Sequence, residues 1–329
     1  MEKDSHPRRG ARTWFALFFL LSVAGPVSGQ SGVKRNWDGG FVTATDGVKI
    51  HYIEAGRAST TGDFQAGGTP PSGSKTVGKV SLSNQRALPS ILFVPGWTMP
   101  GWIWEKQIDA LSKTYHVVAM DPRAQGESEK TTEGLYPAQM AKDIRSLIEQ
   151  LHLAPVVIVG WSMAVVETMA YVDQFGTKDV AGLVLVDELA GGQEPGDAEM
   201  EFGVLKGILE DRKNTTDYFV RKIEFHKPHP EDYIQRVIAA ALETPTSDAV
   251  ALLVGRYTAD YRSVLPKVDK PTLVCAARSP YFDRITAMQK QISGSKLEVF
   301  DGAGHALFVD NPGQFNAAME SFLSGLKSK

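Results

Sequence analysis

Cysteine is almost absent from this chain, with Cys275 the single one among 329 residues. One thiol excludes an internal disulfide even in an oxidising compartment, and its place in the apolar run "PTLVCAA" marks it as a core residue, not a reactive one. An excess of basic charge is missing too. Lys and Arg number 35 against 38 Asp and Glu, a formal net charge of −3, so no cationic field gathers phosphates and nucleic acid is excluded as a partner. A roughly neutral ligand fits this balance better. No Gly-x-Gly-x-x-Gly or phosphate-loop pattern occurs, so no nucleotide cofactor is implied. An apolar stretch long enough to span a bilayer is also lacking: "WFALFFLLSVAGPV" near the N-terminus has about 14 residues, where a spanning helix needs roughly 20. What is present is a composition with 43% hydrophobic residues, that of a globular protein.

The N-terminal run carries its own signal. Arg8, Arg9 and Arg12 precede it and the small residues of "VSGQSG" follow, the order of a secretory signal peptide with a cut after Gly29. Residues 1–29 are therefore expected to be an export signal or an uncleaved N-terminal anchor. The protein is expected to be periplasmic or secreted, with membrane attachment only through this segment. Its removal takes four Lys or Arg and two Asp or Glu and moves the formal charge from −3 to −5.

Two β-rich runs in "FVTATDGVKIHYIEAG" flank Asp46-Gly47, a pair that favours a type I′ turn, so an antiparallel hairpin is expected to open the fold. Residues 57–89 are rich in Gly, Ser, Thr and Pro without periodicity and are expected to form a flexible insertion. Beyond them the apolar runs "SILFVPG", "YHVVAMD", "PVVIVGWS", "GLVLVDE", "PTLVCAA" and "SKLEVFDG" alternate with helix-like segments. Continuous apolar strands imply burial on both faces, hence an α/β protein with a mostly parallel sheet and helices on each side. From Ala190 to Lys267 the alternation stops, and "DAEMEFGVLKGILEDR" and "DYIQRVIAAALE" appear with no clear strand. Residues 190–267 are expected to be a helical cap inserted into a core of residues 30–189 and 268–329. There is no internal repeat.

The strand "VVIVG" followed by Trp161-Ser162-Met163-Ala164 and a helix is the context of a Gly-x-Ser-x-Gly elbow, which holds a serine exposed on a strained turn. Gly160 fits the pattern. Ala164 replaces the second glycine and adds only one methyl group. The alternative is that Ser162 merely caps the helix N-terminus. In "ILFVPGWTMPGWIW" a strand ends at Pro95-Gly96-Trp97, where glycine allows the turn and leaves backbone amides at the carboxyl edge of the sheet. Near the C-terminus "LEVFDGAGHALFVDNPGQF" places His305 in a Gly-rich loop that can reach the same edge.

With "FVPGW", "DPRAQGES", "GWSMA" and "GAGHALFV" in hand, residues 37–326 resemble the α/β-hydrolase superfamily, and most of all its carboxylesterases and cofactor-free haloperoxidases. The resemblance implies that Ser162 is the nucleophile, His305 the general base, and the amides of Trp97 and Met163 the oxyanion hole. It also implies that Asp121 belongs to a structural loop, in which Ala124 stands where glycine is commoner.

The triad acid is where the match weakens. The family's usual aspartate would follow "PTLVCAA", but the chain continues Arg278-Ser279-Pro280-Tyr281-Phe282 before Asp283. Some relatives supply the acid from the end of the preceding strand, which here is Asp187. Asp187 is the leading candidate, ahead of Asp283 and Glu188, with a helix N-cap as its alternative role.

His226 and His229 in "HKPHP" have metal-like spacing, but prolines break the helix that would align them, so no metal is expected. Trp97 and Trp161 adjoin the proposed chemistry and are expected to line an aromatic or acyl pocket, with other tryptophans in the core. The expectation is an exported serine hydrolase that cleaves a small-molecule carboxylic ester through an acyl-enzyme without a cofactor. The alternatives are a perhydrolase or haloperoxidase at the same site, or a hydrolase-fold binding protein without chemistry.

Overall fold

The computed structural model describes residues 37–56 and 88–327. The proposed signal segment, residues 1–29, and residues 57–87 of the proposed insertion lie outside the described residues.

Strands β1 (Asp38–Thr43) and β2 (Lys49–Ala55) form the expected antiparallel hairpin. Its turn is not type I′. Type I′ needs positive φ at both central residues, whereas only Gly47 has it, at 92°. The Gly47 amide donates to the Ala44 carbonyl at 2.9 Å and the Ala44 amide to the Val48 carbonyl at 2.8 Å, closing a longer loop.

The sheet grows from this hairpin. β3 (Ser90–Val94), β4 (Val117–Met120), β5 (Val156–Trp161), β6 (Val180–Val186), β7 (Thr272–Ala277) and β8 (Lys296–Phe300) complete an eight-stranded sheet in the order β1-β2-β4-β3-β5-β6-β7-β8. Both pairings of β2 are antiparallel and the others are parallel. Every residue of β4, β5 and β7 is buried, as the unbroken apolar runs require.

Helices α1 (Glu105–Leu111), α2 (Pro137–Gln150) and α3 (Met163–Phe175) connect the strands up to β6. Between β6 and β7 lie α4 (Asp197–Glu210), α5 (Arg212–Phe219), α6 (Glu231–Leu242) and α7 (Thr246–Tyr257), and no sheet strand interrupts them. Helix α8 (Phe282–Gln289) precedes β8, and α9 (Leu307–Asp310) and α10 (Pro312–Lys327) close the chain.

Strand alternation divides the core in two. Leu92, Val118, Ile158, Leu185 and Val274 pack with α2, α3 and α8 on one face, through Ile144, Leu147, Met169 and Ile285. Their neighbours Phe93, Ala119, Val159, Val186 and Cys275 pack on the other face with α1, α9 and α10, through Ile108, Phe308, Phe315 and Met319. Each fully buried side chain of this kind contributes about 1.5–3 kcal/mol. A one-residue slip of any central strand would exchange its two faces.

Candidate active site

Ser162 lies in the turn between β5 and α3 with φ 57° and ψ −130°, a conformation that non-glycine residues adopt only at a cost. Its neighbours make the turn possible. A Cβ on Gly160 would stand 2.6 Å from both the Ala164 carbonyl and Thr168 Oγ1, and one on Gly96 would stand 2.7 Å from Ser162 Cβ. Ala164 is fully buried in the core under α3, which absorbs its extra methyl group. Ser162 occupies the N-cap position, but its hydroxyl makes no capping hydrogen bond. The side chain is partly exposed. The backbone is pinned instead, through the Ser162 amide donating to the Val186 carbonyl at 3.0 Å.

That carbonyl precedes Asp187. Asp187 directly follows β6 with φ 51° and starts no helix, which removes the N-cap alternative. Its carboxylate is 5% exposed and accepts from the Ala277 amide on Oδ1 at 2.8 Å, while Oδ2 meets His305 Nδ1 at 2.9 Å. His305 is held through its backbone. Its amide donates to the Ile223 carbonyl at 2.9 Å, and its carbonyl accepts from Trp161 Nε1 at 3.0 Å. The Trp161 and His305 ring centroids lie 5.6 Å apart, which brings the histidine loop to the residue before Ser162. No hydrogen bond among the described residues joins Ser162 Oγ to His305, a contact that often tightens only when substrate binds.

A further acid stands beside this pair. Glu224 ends a π-helical turn, Val220–Glu224, and its carbonyl accepts from the Ala306 amide at 3.0 Å. Its side chain is 2% exposed, and Oε2 has no hydrogen-bond partner. Burial pushes the Glu224 carboxyl up to about 7, with His305 pulling it down and Asp187 and Asp310 adding to the rise. For His305, burial opposes the charged form. The Asp187 hydrogen bond and the charges of Glu224, Asp187 and Glu188 outweigh it and push the imidazole up to about 9.

Two backbone amides close to the serine in the chain or across the turn lack backbone acceptors among the described residues. The Met163 amide is the first of α3 and has no intrahelical acceptor. The Trp97 amide donates to no backbone carbonyl among the described residues, and Thr98 after it has φ 57°. The Trp97 indole rises into the helical insert. Its Nε1 donates to the Ala249 carbonyl of α7 at 2.8 Å, its ring meets Phe219 edge-on at 5.6 Å, and Arg212 of α5 lies over it at 4.8 Å. Trp97 and Met163 share one apolar cluster with Ile208, Leu252 and Leu253 from the insert.

The remaining candidates fall elsewhere. Asp283 is exposed in the first turn of α8 and makes no contact with His305. Glu188 is bound by Arg256 at 2.7 Å, which outweighs burial and holds the carboxyl below the usual range. Asp121 accepts from the Gly101 amide at 2.5 Å and the Glu127 amide at 2.8 Å and meets His51 Nδ1 at 2.8 Å, which leaves it a structural knot.

His229 Nε2 binds Asp310 at 2.7 Å and the His226 amide binds the other oxygen of Asp310, so these histidines fix a loop, and no metal-ligating cluster occurs among the described residues. Burial pushes the Cys275 thiol well up, as its core position implies. Trp161 is 1% exposed, and its ring packs against Trp104 and Phe308. Trp97 is 6% exposed and packs with Met163, the residue after the serine, in one apolar cluster. Glu224 and Arg212 went unnoticed in the sequence, since each lies in a charged, unpatterned stretch of helix and gains its meaning from residues far along the chain.

A family model described as the alpha/beta hydrolase family matches residues 91–318. A curated relative, a putative non-heme chloroperoxidase of Synechocystis sp., is 27% identical over 253 residues, covering 71% of this chain and 90% of that protein. Two solved structures share the fold. An esterase from Exiguobacterium antarcticum has a TM-score of 0.72 and 23% identity, covering 87% of this chain and 100% of that one. A bromoperoxidase from Bacillus anthracis has a TM-score of 0.73 and 21% identity at the same coverage.

Proposed function

The chain belongs to the alpha/beta hydrolase family, and from that premise we propose that it is a serine-dependent carboxylic ester hydrolase working through Ser162, His305 and Asp187. The observation that carries the proposal is the 2.9 Å contact between His305 Nδ1 and Asp187 Oδ2, beside a serine whose hydroxyl caps nothing on a positive-φ turn. In this reading Asp187 fixes the imidazole tautomer with Nε2 facing the serine and stabilises the imidazolium that forms.

Ser162 Oγ attacks the ester carbonyl while His305 Nε2 takes its proton. The amides of Trp97 and Met163 donate to the oxyanion, and His305 returns the proton to the leaving alkoxide. Water then attacks the acyl-enzyme with His305 again as base, which releases the acid and restores Ser162. Each step uses only side chains and backbone amides of the protein and water, so the proposed mechanism needs no cofactor. Helices α4, α5 and α7 act as the cap, because their apolar residues pack with Trp97 and Met163. Turnover of a small activated ester such as 4-nitrophenyl acetate tests the proposal. Ser162→Ala is expected to lower kcat by about 10⁴–10⁶ with an unchanged melting temperature. Near-normal turnover would rule out Ser162 as nucleophile.

One observation favours a second reading, in which hydrogen peroxide replaces water in attacking the acyl-enzyme and gives a peracid. It is the likeness to proteins described as a chloroperoxidase and a bromoperoxidase. Bromination of a phenol-red indicator in acetate, peroxide and bromide, at a rate exceeding ester hydrolysis and dependent on Ser162, would select it.

A further inference from the structure

Arg212 is a cation without a counterion among the described residues. Its guanidinium lies 4.8 Å over the Trp97 ring, with Nη1 donating to Thr216 Oγ1 at 2.9 Å and Nη2 to the Ala241 carbonyl at 3.1 Å. Its Nε is buried and has no acceptor. No carboxylate lies within ion-pair distance among the described residues, although the neighbouring insert arginines, Arg221, Arg256 and Arg262, all have one. Burial alone pulls this guanidinium down to about 10, with no acid to offset it. A guanidinium presents five N–H donors in a planar fork, and leaving such a charge desolvated and unpaired is costly unless something fills the place. Trp97 follows Gly96, whose backbone closely approaches Ser162, so the residue whose ring carries this guanidinium also flanks the serine turn.

We propose that Arg212 anchors a carboxylate on the substrate, so that the preferred ester carries an acid group a few carbons from its scissile carbonyl. This rests on the ester-hydrolase reading and names its substrate class. One guanidinium stacked on an indole matches a planar monoanion, whereas a phosphate dianion calls for more donors than one fork supplies. The ligand thereby differs from the neutral one that the net charge of −3 suggests, because a single half-buried cation sets the local field where the overall charge does not.

Two paired measurements test the proposal. Mono-4-nitrophenyl glutarate and its methyl ester differ only in the charge, and the wild type is expected to favour the acid. Arg212→Met keeps the apolar stem and is expected to lower the acid-to-methyl-ester ratio of kcat/KM about 10- to 100-fold, with Arg212→Lys in between. The melting temperature of Arg212→Met is expected to be no lower than that of the wild type, since an unpaired charge is removed. In the second measurement, glutarate is titrated calorimetrically into Ser162→Ala protein. Saturable heat that disappears on adding Arg212→Met supports the site, and heat that persists, or none at all, overturns it. If neither ester is cleaved and glutarate binding still depends on Arg212, the ester-hydrolase reading fails and the carboxylate site stands. If both esters are cleaved and their ratio ignores Arg212, the site fails and the reading stands.

Discussion

The carboxylates around His305 differ in what holds them. Asp187 is tied by the Ala277 amide and aimed at Nδ1, whereas Asp283 is exposed on α8. Asp187→Asn is therefore expected to cut kcat about 10³–10⁴-fold and Asp283→Asn less than about tenfold, measured on one activated ester. Comparable losses in both would leave the acid unassigned to Asp187. Glu224 governs a different property. In the proposed mechanism activity requires neutral His305, so kcat/KM rises with pH through the imidazole pKa, which burial lowers and which the Asp187 hydrogen bond and then the charge of Glu224 raise, to about 9. Glu224→Gln removes the charge, and the acid limb of kcat/KM is expected to move to lower pH by about one unit. A limb that stays in place while kcat falls would make Glu224 a packing residue only.

Helix α3 carries an electrostatic strain within an otherwise apolar element. Glu167 is 1% exposed, both of its oxygens lack partners, and burial followed by the nearby Asp143 pushes its carboxyl up to about 8. A carboxyl whose folded pKa exceeds its unfolded one contributes full stability below pH ~4.5 and loses it as pH rises towards 8. Glu167→Gln lacks this loss. Its melting temperature is expected to gain on the wild type between pH 5 and pH 8, by on the order of a few °C, and parallel curves would contradict the assignment.

At this scale the sequence was readable wherever burial was two-sided. Runs such as "VVIVGW" and "TLVCAA" have no polar position to spare, so they read as the central strands β5 and β7 that they are. The turn after β1 did not read correctly, because Asp46-Gly47 specifies a type I′ turn only when the loop has two residues, and the Ala44–Val48 pairing makes it longer. Ser162 and His305 stood out through local glycine patterns that a tight turn demands. Glu224 and Arg212 did not, because their burial is imposed by partners that only the folded insert brings close.

For the molecule as a whole, Ser162 and Asp187 follow the adjacent parallel strands β5 and β6, His305 reaches Asp187 from the loop after β8, and the insert between β6 and β7 reaches Trp97 and Met163. Changes in α4 to α7 are thus expected to alter the order of preference among esters of graded size more than turnover of 4-nitrophenyl acetate. Uniform losses on every ester at unchanged stability would argue against a cap. The central claim is that Ser162 is an activated nucleophile, and covalent trapping reads it without presupposing a substrate. Wild-type protein treated with a fluorophosphonate and weighed intact is expected to gain one adduct mass, located by peptide mapping at Ser162 and missing from Ser162→Ala and strongly slowed in His305→Ala. An adduct on another residue, or none on folded wild-type protein, would contradict the account.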